Sequence, residues 1–190
     1  MSLNQDSSDQ DIVKISLIDK DKFIFILDRY KEKLFNYIRR ISGLDNESIE
    51  DLLQDVFIKV YKNLNDYDNT LKFSSWIYRI AHNEVISNWR KNNVRPQAFE
   101  IDEDTNIEYF ISEIKADTEV DYNLMKEKIF VVLSGLSLKY REVLILKYLE
   151  EKDYQEISDI TKKSIGTVSS LLSRAKKAFR DELSSKNIKI

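Results

Sequence analysis

The sequence contains no cysteine, only three glycines and one proline, and no long uninterrupted apolar run. Without cysteine, disulfides and thiolate metal sites are excluded. So few glycines and prolines leave little material for tight turns and favour helices joined by short polar loops. No stretch reaches the roughly 18 apolar residues of a membrane span, and the polar N-terminus lacks a signal-peptide pattern. We therefore expect a cytoplasmic protein with no membrane insertion.

Histidine is almost absent as well, since His82 is the single one. One histidine without any cysteine excludes a two-histidine metal site and a cysteine–histidine relay. The letters HNE at 82–84 resemble the start of a deaminase motif, but no cysteine completes it. The sequence therefore predicts no enzyme: no catalytic residue, no metal and no cofactor. His82 is interpreted as a structural or DNA-proximal residue.

Charge is unevenly distributed along the chain, although the net charge is only −3. Residues 100–121 hold nine acids and one base, residues 162–180 hold six bases and no acid, and residues 72–95 hold five bases and one acid. Local basic segments are typical of proteins that bind nucleic acid, whatever the overall charge. The acidic run is expected either to compete with phosphate for both basic segments in the free protein or to serve only as a solubilising linker.

Apolar spacing predicts helices on both sides of the acidic run. In the N-terminal half, apolar residues three or four apart indicate a helix from Phe23 to Ile41, which ends at Gly43, and a second from about Glu47 to Leu64. A polar loop then leads to a third helix, Phe73–Lys91, with Ser74 or Ser75 as a possible cap.

The C-terminal half has stronger start and stop signals. One helix begins near Thr118 and ends at Gly135, and the next begins at Ser137. The sequence DYQE, residues 153–156, has the spacing of a capping box. A short helix to Ile160, a tight link and a long helix from Ser164 to about Leu183 form the helix-turn-helix arrangement.

These elements predict an all-α fold. We expect two small helical domains, residues 21–92 and 118–185, joined by an acidic linker, residues 93–117. Residues 1–20 are expected to be a polar leader without regular structure. The long C-terminal helix has small hydroxyls and bases opposite its apolar side, with Arg174 and Lys177 able to reach phosphates or guanine edges. The pattern alone does not separate it from an ordinary surface helix with solvated lysines.

Three segments together resemble a known family: DLLQDVFIKVYKNL, FSSWIYRIAHNEVISNWRK and LSLKYREVLILKYLEEKDYQEISDITKKSIGTVSSLLSRAKKAF. They are similar, in this order, to an extracytoplasmic-function (group IV, sigma-70 family) RNA polymerase sigma factor. The first two resemble its region 2 and the third its region 4. The resemblance covers most of the chain and implies core RNA polymerase and promoter DNA as partners, with an anti-sigma factor as a further expected partner.

The resemblance also implies roles for particular residues. The residues expected to dock on core polymerase are Asp51, Gln54, Asp55 and Ile58. The residues expected to open and hold the −10 element are Asn65, Asp66, Tyr67, Lys72, Phe73, Trp76, Arg79, Asn83, Ser87, Arg90 and Lys91. The residues expected to read the −35 element are Lys162, Lys163, Ser164, Thr167, Ser169, Ser170, Ser173, Arg174 and Lys177.

The chain departs from the family pattern in a few places. Ser87 stands where the family typically has aspartate, Ser169 and Leu171 where it usually has bases, and Lys162 and Lys163 where its turn has a glycine and an aliphatic residue. The departures at Lys162, Lys163, Ser169 and Leu171 bear on the strength of −35 binding and on which bases are read. For Trp76 a second interpretation is open, in which the indole braces the helix against the core, and Trp89 is interpreted as a core residue.

Two other functions compete with this interpretation. A stand-alone helix-turn-helix regulator would have a similar C-terminal module, but it needs a ligand-sensing or dimerising domain in place of the N-terminal half. An all-α interaction protein would show little salt-dependent binding to nucleic acid.

Overall fold

The structure, a computed structural model, describes residues 7–92 and 122–188. Over these residues no strand occurs, and the prediction of an all-α fold is confirmed. Short 3₁₀ turns stand at Lys20–Phe23 and Leu64–Asp66, and a π-helical turn, Ile145–Leu149, continues the sixth helix. The helices are α1 (Asp9–Ile18), α2 (Ile24–Ser42), α3 (Asn46–Lys62), α4 (Phe73–Asn92), α5 (Tyr122–Gly135), α6 (Leu138–Leu144), α7 (Tyr154–Thr161) and α8 (Ile165–Ser185).

Helices α2, α3 and α4 form the core of the N-terminal half, residues 7–92. The predicted apolar stripes face one another, because residues three and four apart share one side of a helix. Gly43 ends α2 in the left-handed region at φ 66°, where a side chain would be strained. The buried residues at the centre of this packing include Leu34, Ile38, Ile41, Leu53, Val56, Val60 and Ile77.

Helix α1 lies where we expected a leader without regular structure, so that expectation is wrong for residues 9–18. Its side chains Ile12 and Val13 are buried, and Asp9 accepts hydrogen bonds from Arg29 (2.8 Å) and from the Tyr30 hydroxyl (2.6 Å). The polar composition concealed this short helix, because two buried apolar residues give only a weak periodic signal. The first six residues lie outside the described ranges.

The C-terminal half, residues 122–188, packs α5, α6 and α7 around α8. The predicted capping box is confirmed: Asp153 Oδ1 accepts from the Glu156 amide (2.8 Å), and Glu156 Oε2 accepts from the Asp153 amide (3.1 Å). Lys162 turns the chain in the left-handed region at φ 54°, and Ser164 caps α8 by accepting from the Thr167 amide (3.2 Å). The acidic linker at 93–117, with its expected shielding role, lies outside the described residues.

The two halves pack directly on each other. Helix α4 runs along α7, and α2 meets α6 and its π-helical turn. Apolar spacing along the chain does not predict this contact, because the residues that meet are far apart in sequence. Across the described ranges, no helix has both the length and the apolar character needed to cross a bilayer.

Candidate nucleic-acid interface

Helix α3 presents an exposed strip on the side opposite its buried face. Asp51, Gln54, Asp55 and Ile58, here called the docking strip, are all exposed, and the Ile58 side chain is 43% accessible. The helix is fixed at its start by Asp45, whose carboxylate accepts from the Ser48 amide (2.9 Å). That hydrogen bond lowers the pKa of Asp45. The strip combines two carboxylates and an amide with one apolar side chain, so its charges can complement a basic patch on a partner.

The loop between α3 and α4 is held by its own hydrogen bonds. The Tyr67 hydroxyl donates to the Leu71 carbonyl (2.6 Å), and Asp68 accepts from the Thr70 amide (2.9 Å), which lowers the pKa of Asp68. Asn65 and Asp66 lie exposed in the 3₁₀ turn. This loop is therefore a formed surface with its polar side chains outward.

Phe73 and Trp76 are part of the core, because they are only 2% and 9% accessible. Their rings lie 5.6 Å apart, and Tyr67 packs on both, at 5.2 Å from Phe73 and 5.5 Å from Trp76. Aromatic rings at these separations stabilise one another beyond their burial. As placed, these rings brace the loop. Stacking of Trp76 on DNA stays a prediction.

The other predicted −10 residues of α4 follow one another along the helix. Arg79, Asn83, Ser87 and Arg90, here called the α4 track, lie three or four residues apart, and all but Arg79 are exposed, as is Lys91. Asn83, Ser87 and Arg90 line a cavity of about 540 Å³. Its walls also include Trp89 from α4, which is half-buried, and residues of the C-terminal half. The sequence analysis interpreted Trp89 as a core residue, and the structure places it at the edge of this cavity.

Two positions predicted to contact the −10 element are already paired with the C-terminal half. The Lys72 ammonium lies 3.2 Å from Asp153 Oδ2 and 3.3 Å from Glu156 Oε2, and these carboxylates raise its pKa. Arg79 Nε donates to the Asp159 carbonyl oxygen (2.6 Å). The α4 track is thus partly covered in this arrangement of the two halves.

His82 belongs to the same contact and is buried against Glu142 of α6. His82 Nδ1 lies 3.1 Å from Glu142 Oε1, and Lys163 lies 3.9 Å from the other carboxylate oxygen. Burial, aided by Lys163, lowers the pKa of His82 to about 4, and burial raises the pKa of Glu142 to about 7 although Lys163 opposes it. At neutral pH the two groups therefore hold at most one proton, carried by the carboxyl group.

This pair predicts opposite pH dependence for two single variants. In Glu142→Gln, His82 remains with a pKa below its ordinary value, so stability present above about pH 6.5 is lost as the pH falls toward 4. In His82→Asn, Glu142 remains with a raised pKa, so stability present below about pH 4.5 is lost as the pH rises through about 7. Each slope approaches roughly 1 kcal/mol per pH unit.

Urea unfolding at several pH values between 4.5 and 7.5 measures both slopes. In the wild-type chain the two dependences oppose each other over this window, so this pair contributes little net pH dependence to stability. Equal slopes in the two variants would contradict the assignment of the proton to Glu142.

The recognition surface of the C-terminal half is the outer side of α8. Ser169, Ser173 and Arg174 are exposed there, and Ser170 donates to the Gly166 carbonyl (2.9 Å). Lys163 is half-buried and turned toward Glu142, whereas Lys162 is exposed in the turn. The residues of this surface, here called the α8 face, are Thr167, Ser169, Ser170, Ser173, Arg174 and Lys177, all exposed.

Sequence reasoning missed a group of buried ionic side chains. Arg40 of α2 meets Glu150 at 2.6 Å, and the Tyr78 hydroxyl donates to the same carboxylate at 2.7 Å. Arg141 is buried and donates to the carbonyls of Leu133 (3.0 Å) and Ser134 (2.7 Å). The available signal was a charge within an apolar stripe, as at Arg40 between Ile38 and Ile41. Within the described ranges no cluster of three or more acidic or histidine side chains is arranged to hold a metal.

Comparison with known families agrees with this geometry. Sigma-70 region 2 matches residues 26–95, and the family described as Sigma-70, region 4 matches residues 126–179. A chain with these two domains in this order is of the sigma-70 class.

Curated relatives narrow the class further. The ECF RNA polymerase sigma factor SigW of Bacillus subtilis (strain 168) is 34% identical over 176 residues, covering 87% of this chain and 90% of SigW. The ECF RNA polymerase sigma-E factor of Escherichia coli (strain K12) is 24% identical, covering 95% of this chain and 97% of the relative. This chain belongs to the extracytoplasmic-function family of RNA polymerase sigma factors. It directs core RNA polymerase to promoters by recognising the −10 and −35 elements and opening the DNA.

Solved structures share the fold. The structure of CnrH in complex with the cytosolic domain of CnrY has a TM-score of 0.69 at 18% identity, covering 94% of this chain and 99% of that one. The sigma factor RpoE in complex with the anti-sigma factor NepR, from Bartonella quintana, has a TM-score of 0.59 at 23% identity, covering 87% of this chain and 96% of that one. The two-domain match disfavours the stand-alone regulator that the sequence analysis left open.

Proposed function

We propose that three surfaces divide the work of this sigma factor. The docking strip of α3 binds core polymerase, the α4 track and the loop before it hold the opened −10 strand, and the α8 face reads the −35 element. The observation that carries the first assignment is the docking strip itself, an exposed row of polar and apolar side chains on a helix whose other side is core.

The −10 assignment follows from what a separated strand needs. Taking bases out of the duplex costs a few kcal/mol per base, and a protein offsets this with cations for the backbone and polar or aromatic groups for the bases. Arg79, Asn83 and Arg90 offer such groups in a row, with Lys72 and the exposed loop residues at one end. For the −35 element, small hydroxyls let α8 enter a major groove while Arg174 and Lys177 reach its edges.

We propose further that the protein works in the cytoplasm, where polymerase and promoter DNA meet, without chemistry of its own. An anti-sigma factor is a proposed third partner. Support comes from the RpoE structure, which was solved with an anti-sigma factor, and from CnrH, which was solved with the cytosolic domain of CnrY. Reconstituted transcription with core polymerase over a promoter library tests the proposal as a whole. The proposal would be refuted if transcription initiated from none of the templates in the library.

Reversing one charge in the docking strip is expected to weaken polymerase binding. In Asp55→Lys, a carboxylate on the exposed side of α3 becomes a cation, which costs complementarity across an interface without touching the core. We expect at least a tenfold loss of affinity for core polymerase, about 1.4 kcal/mol, measured by a competition assay. The matched control is Asp181→Lys, an exposed acid near the end of α8. Equal affinities for the two variants would exclude the docking strip.

Removing one amide from the α4 track is expected to slow promoter opening. In Asn83→Ala, an exposed polar group is lost from the proposed path of the −10 strand, while the fold keeps its core. The closed complex should form as in the wild type, and opening should slow by about 10-fold, since one interaction of 1–2 kcal/mol with the open strand is lost. Permanganate reactivity of the −10 thymines measures opening. Gln10→Ala, an exposed amide on α1, is the control, and normal reactivity in Asn83→Ala counts against the track.

A further inference from the structure

We propose that the C-terminal half carries a built-in competitor for the −10 strand: in the free protein, residues 150–159, here called the α7 segment, occupy Lys72 and Arg79 at the start of the −10 surface. The proposal rests on the −10 role proposed above for α4. The −10 strand and the α7 segment would then bind the same cations, so that only one of them is held at a time.

The contacts along the edge of α4 have the chemistry of phosphate contacts. Lys72 meets two carboxylates, Asp153 at 3.2 Å and Glu156 at 3.3 Å, and Ser74 donates to Glu156 at 3.5 Å. Arg79 donates to the carbonyl oxygen of Asp159 at 2.6 Å. Carboxylate and carbonyl oxygens take the positions that phosphate oxygens of a bound strand would take, because lysine and arginine bind both in the same way.

The centre of the contact is buried and ionic. Glu150 accepts from Arg40 at 2.6 Å and from the Tyr78 hydroxyl at 2.7 Å, and the Arg40 and Glu150 side chains are 10% and 6% accessible. Lys152 lies over the Tyr78 ring, 4.4 Å from its centroid. A buried ion pair fixes the register of two surfaces while contributing little net stability, because desolvation offsets the attraction. Such a contact suits a closed state that must open during each cycle of use.

The far end of the α4 track faces the C-terminal half across a cavity, although Asn83, Ser87 and Arg90 themselves are exposed. Asn83 and Arg90 line the cavity of about 540 Å³, whose opposite wall is formed by Leu138, Glu142 and Lys163 of the C-terminal half. A strand that runs from Lys72 along the α4 track to Arg90 would therefore meet α7 first and α6 next. The complete −10 surface, with Lys72 and Arg79 unpaired from the α7 segment, becomes available only when the halves separate.

The charges of the α7 segment can be removed without losing its helix. The test variant combines Glu150→Gln, Asp153→Asn and Glu156→Gln, since asparagine is a good N-cap and glutamine completes a capping box. The matched control, Asp28→Asn with Glu127→Gln and Asp181→Asn, removes the same charge from exposed positions elsewhere. Because the chain has no cysteine, Lys62→Cys and Asp181→Cys supply the only two thiols for fluorescent labels. In the labelled control, Glu32→Gln replaces Asp181→Asn.

Two measurements on the free full-length chain follow. Energy transfer between the labels should fall in the test variant and stay at the wild-type level in the control. Binding to a short single-stranded DNA of mixed sequence should tighten only in the test variant, by about tenfold if the open form is about a tenth of the wild-type population. The proposal is overturned if energy transfer in the test variant stays at the wild-type level. It is also overturned if the distance between the labels increases but the affinity for single-stranded DNA stays equal to that of the control.

A separate experiment on the complex with core polymerase distinguishes a failure of the proposed −10 role from a failure of this inference. With core polymerase bound, the test variant should open promoters like the wild type, because its substitutions lie outside the α4 track. Asn83→Ala tests the −10 role in that same complex. Normal opening by Asn83→Ala refutes the −10 role, whereas the distance and affinity measurements on the free chain decide the closed state.

Discussion

Arg141→Met is expected to unfold the C-terminal half and abolish −35 recognition. Arg141 is 2% accessible, and its guanidinium donates to the carbonyls of Leu133 (3.0 Å), Ser134 (2.7 Å) and Leu136 (3.3 Å). The Leu133 and Ser134 carbonyls lie in the last turn of α5 and the Leu136 carbonyl follows it, where the helix itself supplies few donors; Leu133 also accepts from the Leu136 amide (3.1 Å). Burial lowers the pKa of Arg141 to about 10, so the side chain is still cationic at neutral pH.

The expected loss is large compared with the stability of so small a domain. Leaving buried carbonyls without a donor costs about 1–3 kcal/mol each, and the whole domain is stable by roughly 3–10 kcal/mol. Methionine fills a similar volume but donates nothing. Urea unfolding followed by circular dichroism measures the change, with Arg174→Met on the exposed α8 face as the control. A change below about 1 kcal/mol in Arg141→Met would show that the three hydrogen bonds contribute little.

Trp76→Ala is expected to destabilise the N-terminal half by about 3–5 kcal/mol, the usual cost of removing a large buried aromatic side chain. The indole is in contact with Phe73 and Tyr67, and Tyr30 packs on Phe73 at 5.6 Å. The loop that carries the predicted −10 residues Asn65, Asp66 and Tyr67 would lose its inner support together with the core.

The control is a tryptophan-to-alanine substitution at the other tryptophan of α4. Trp89 is half-buried at the edge of the cavity, so Trp89→Ala should cost distinctly less. If Trp76 instead acts by stacking on DNA, Trp76→Ala should leave the unfolding transition in place and slow only promoter opening. Thermal unfolding, measured beside permanganate reactivity, separates the two roles.

Local signals in the sequence predicted much of the fold. The capping box at Asp153 and Glu156 and the stop at Gly43 stand as predicted, and the long helix predicted from Ser164 begins at Ile165, because each signal depends on residues within one turn of the chain. Helix α3 is shorter than predicted at its C-terminal end: it stops at Lys62, and Leu64 begins a 3₁₀ turn. The predicted end of α3 was too late because Leu64 is buried, and a buried apolar residue fits the helical pattern even when it lies in the following 3₁₀ turn.

The contact between the halves could not be predicted in the same way. Arg40 and Glu150 are 110 residues apart, and no local pattern links them. The sequence analysis assigned no role to either charge, because burial of an ion pair depends on the partner that tertiary packing brings. The same reason explains why Lys72 and Arg79 were predicted as DNA contacts only, although both are paired with the α7 segment.

In the candidate site, too, the features fixed by local helix geometry were predicted and those fixed by tertiary packing were not. Exposed positions such as Asp55, Asn83 and Arg174 lie where the spacing predicted them, because a regular helix fixes which residues share a side. Phe73 and Trp76 differ, since a helix pattern of aromatic and basic residues does not tell which aromatic ring faces inward. The neighbours Tyr30 and Tyr67 decide this, and they come from α2 and the preceding loop.

Glu150 limits how freely the two halves can be exchanged between relatives. Arg40 and Tyr78 on one half are matched to a single carboxylate on the other. In a chimera that takes its −35 module from a relative lacking this acid, the Arg40 guanidinium would lose its carboxylate partner whenever the halves meet. Recombination between such genes should therefore preserve the acid together with the arginine, even though neither residue is assigned to DNA or polymerase.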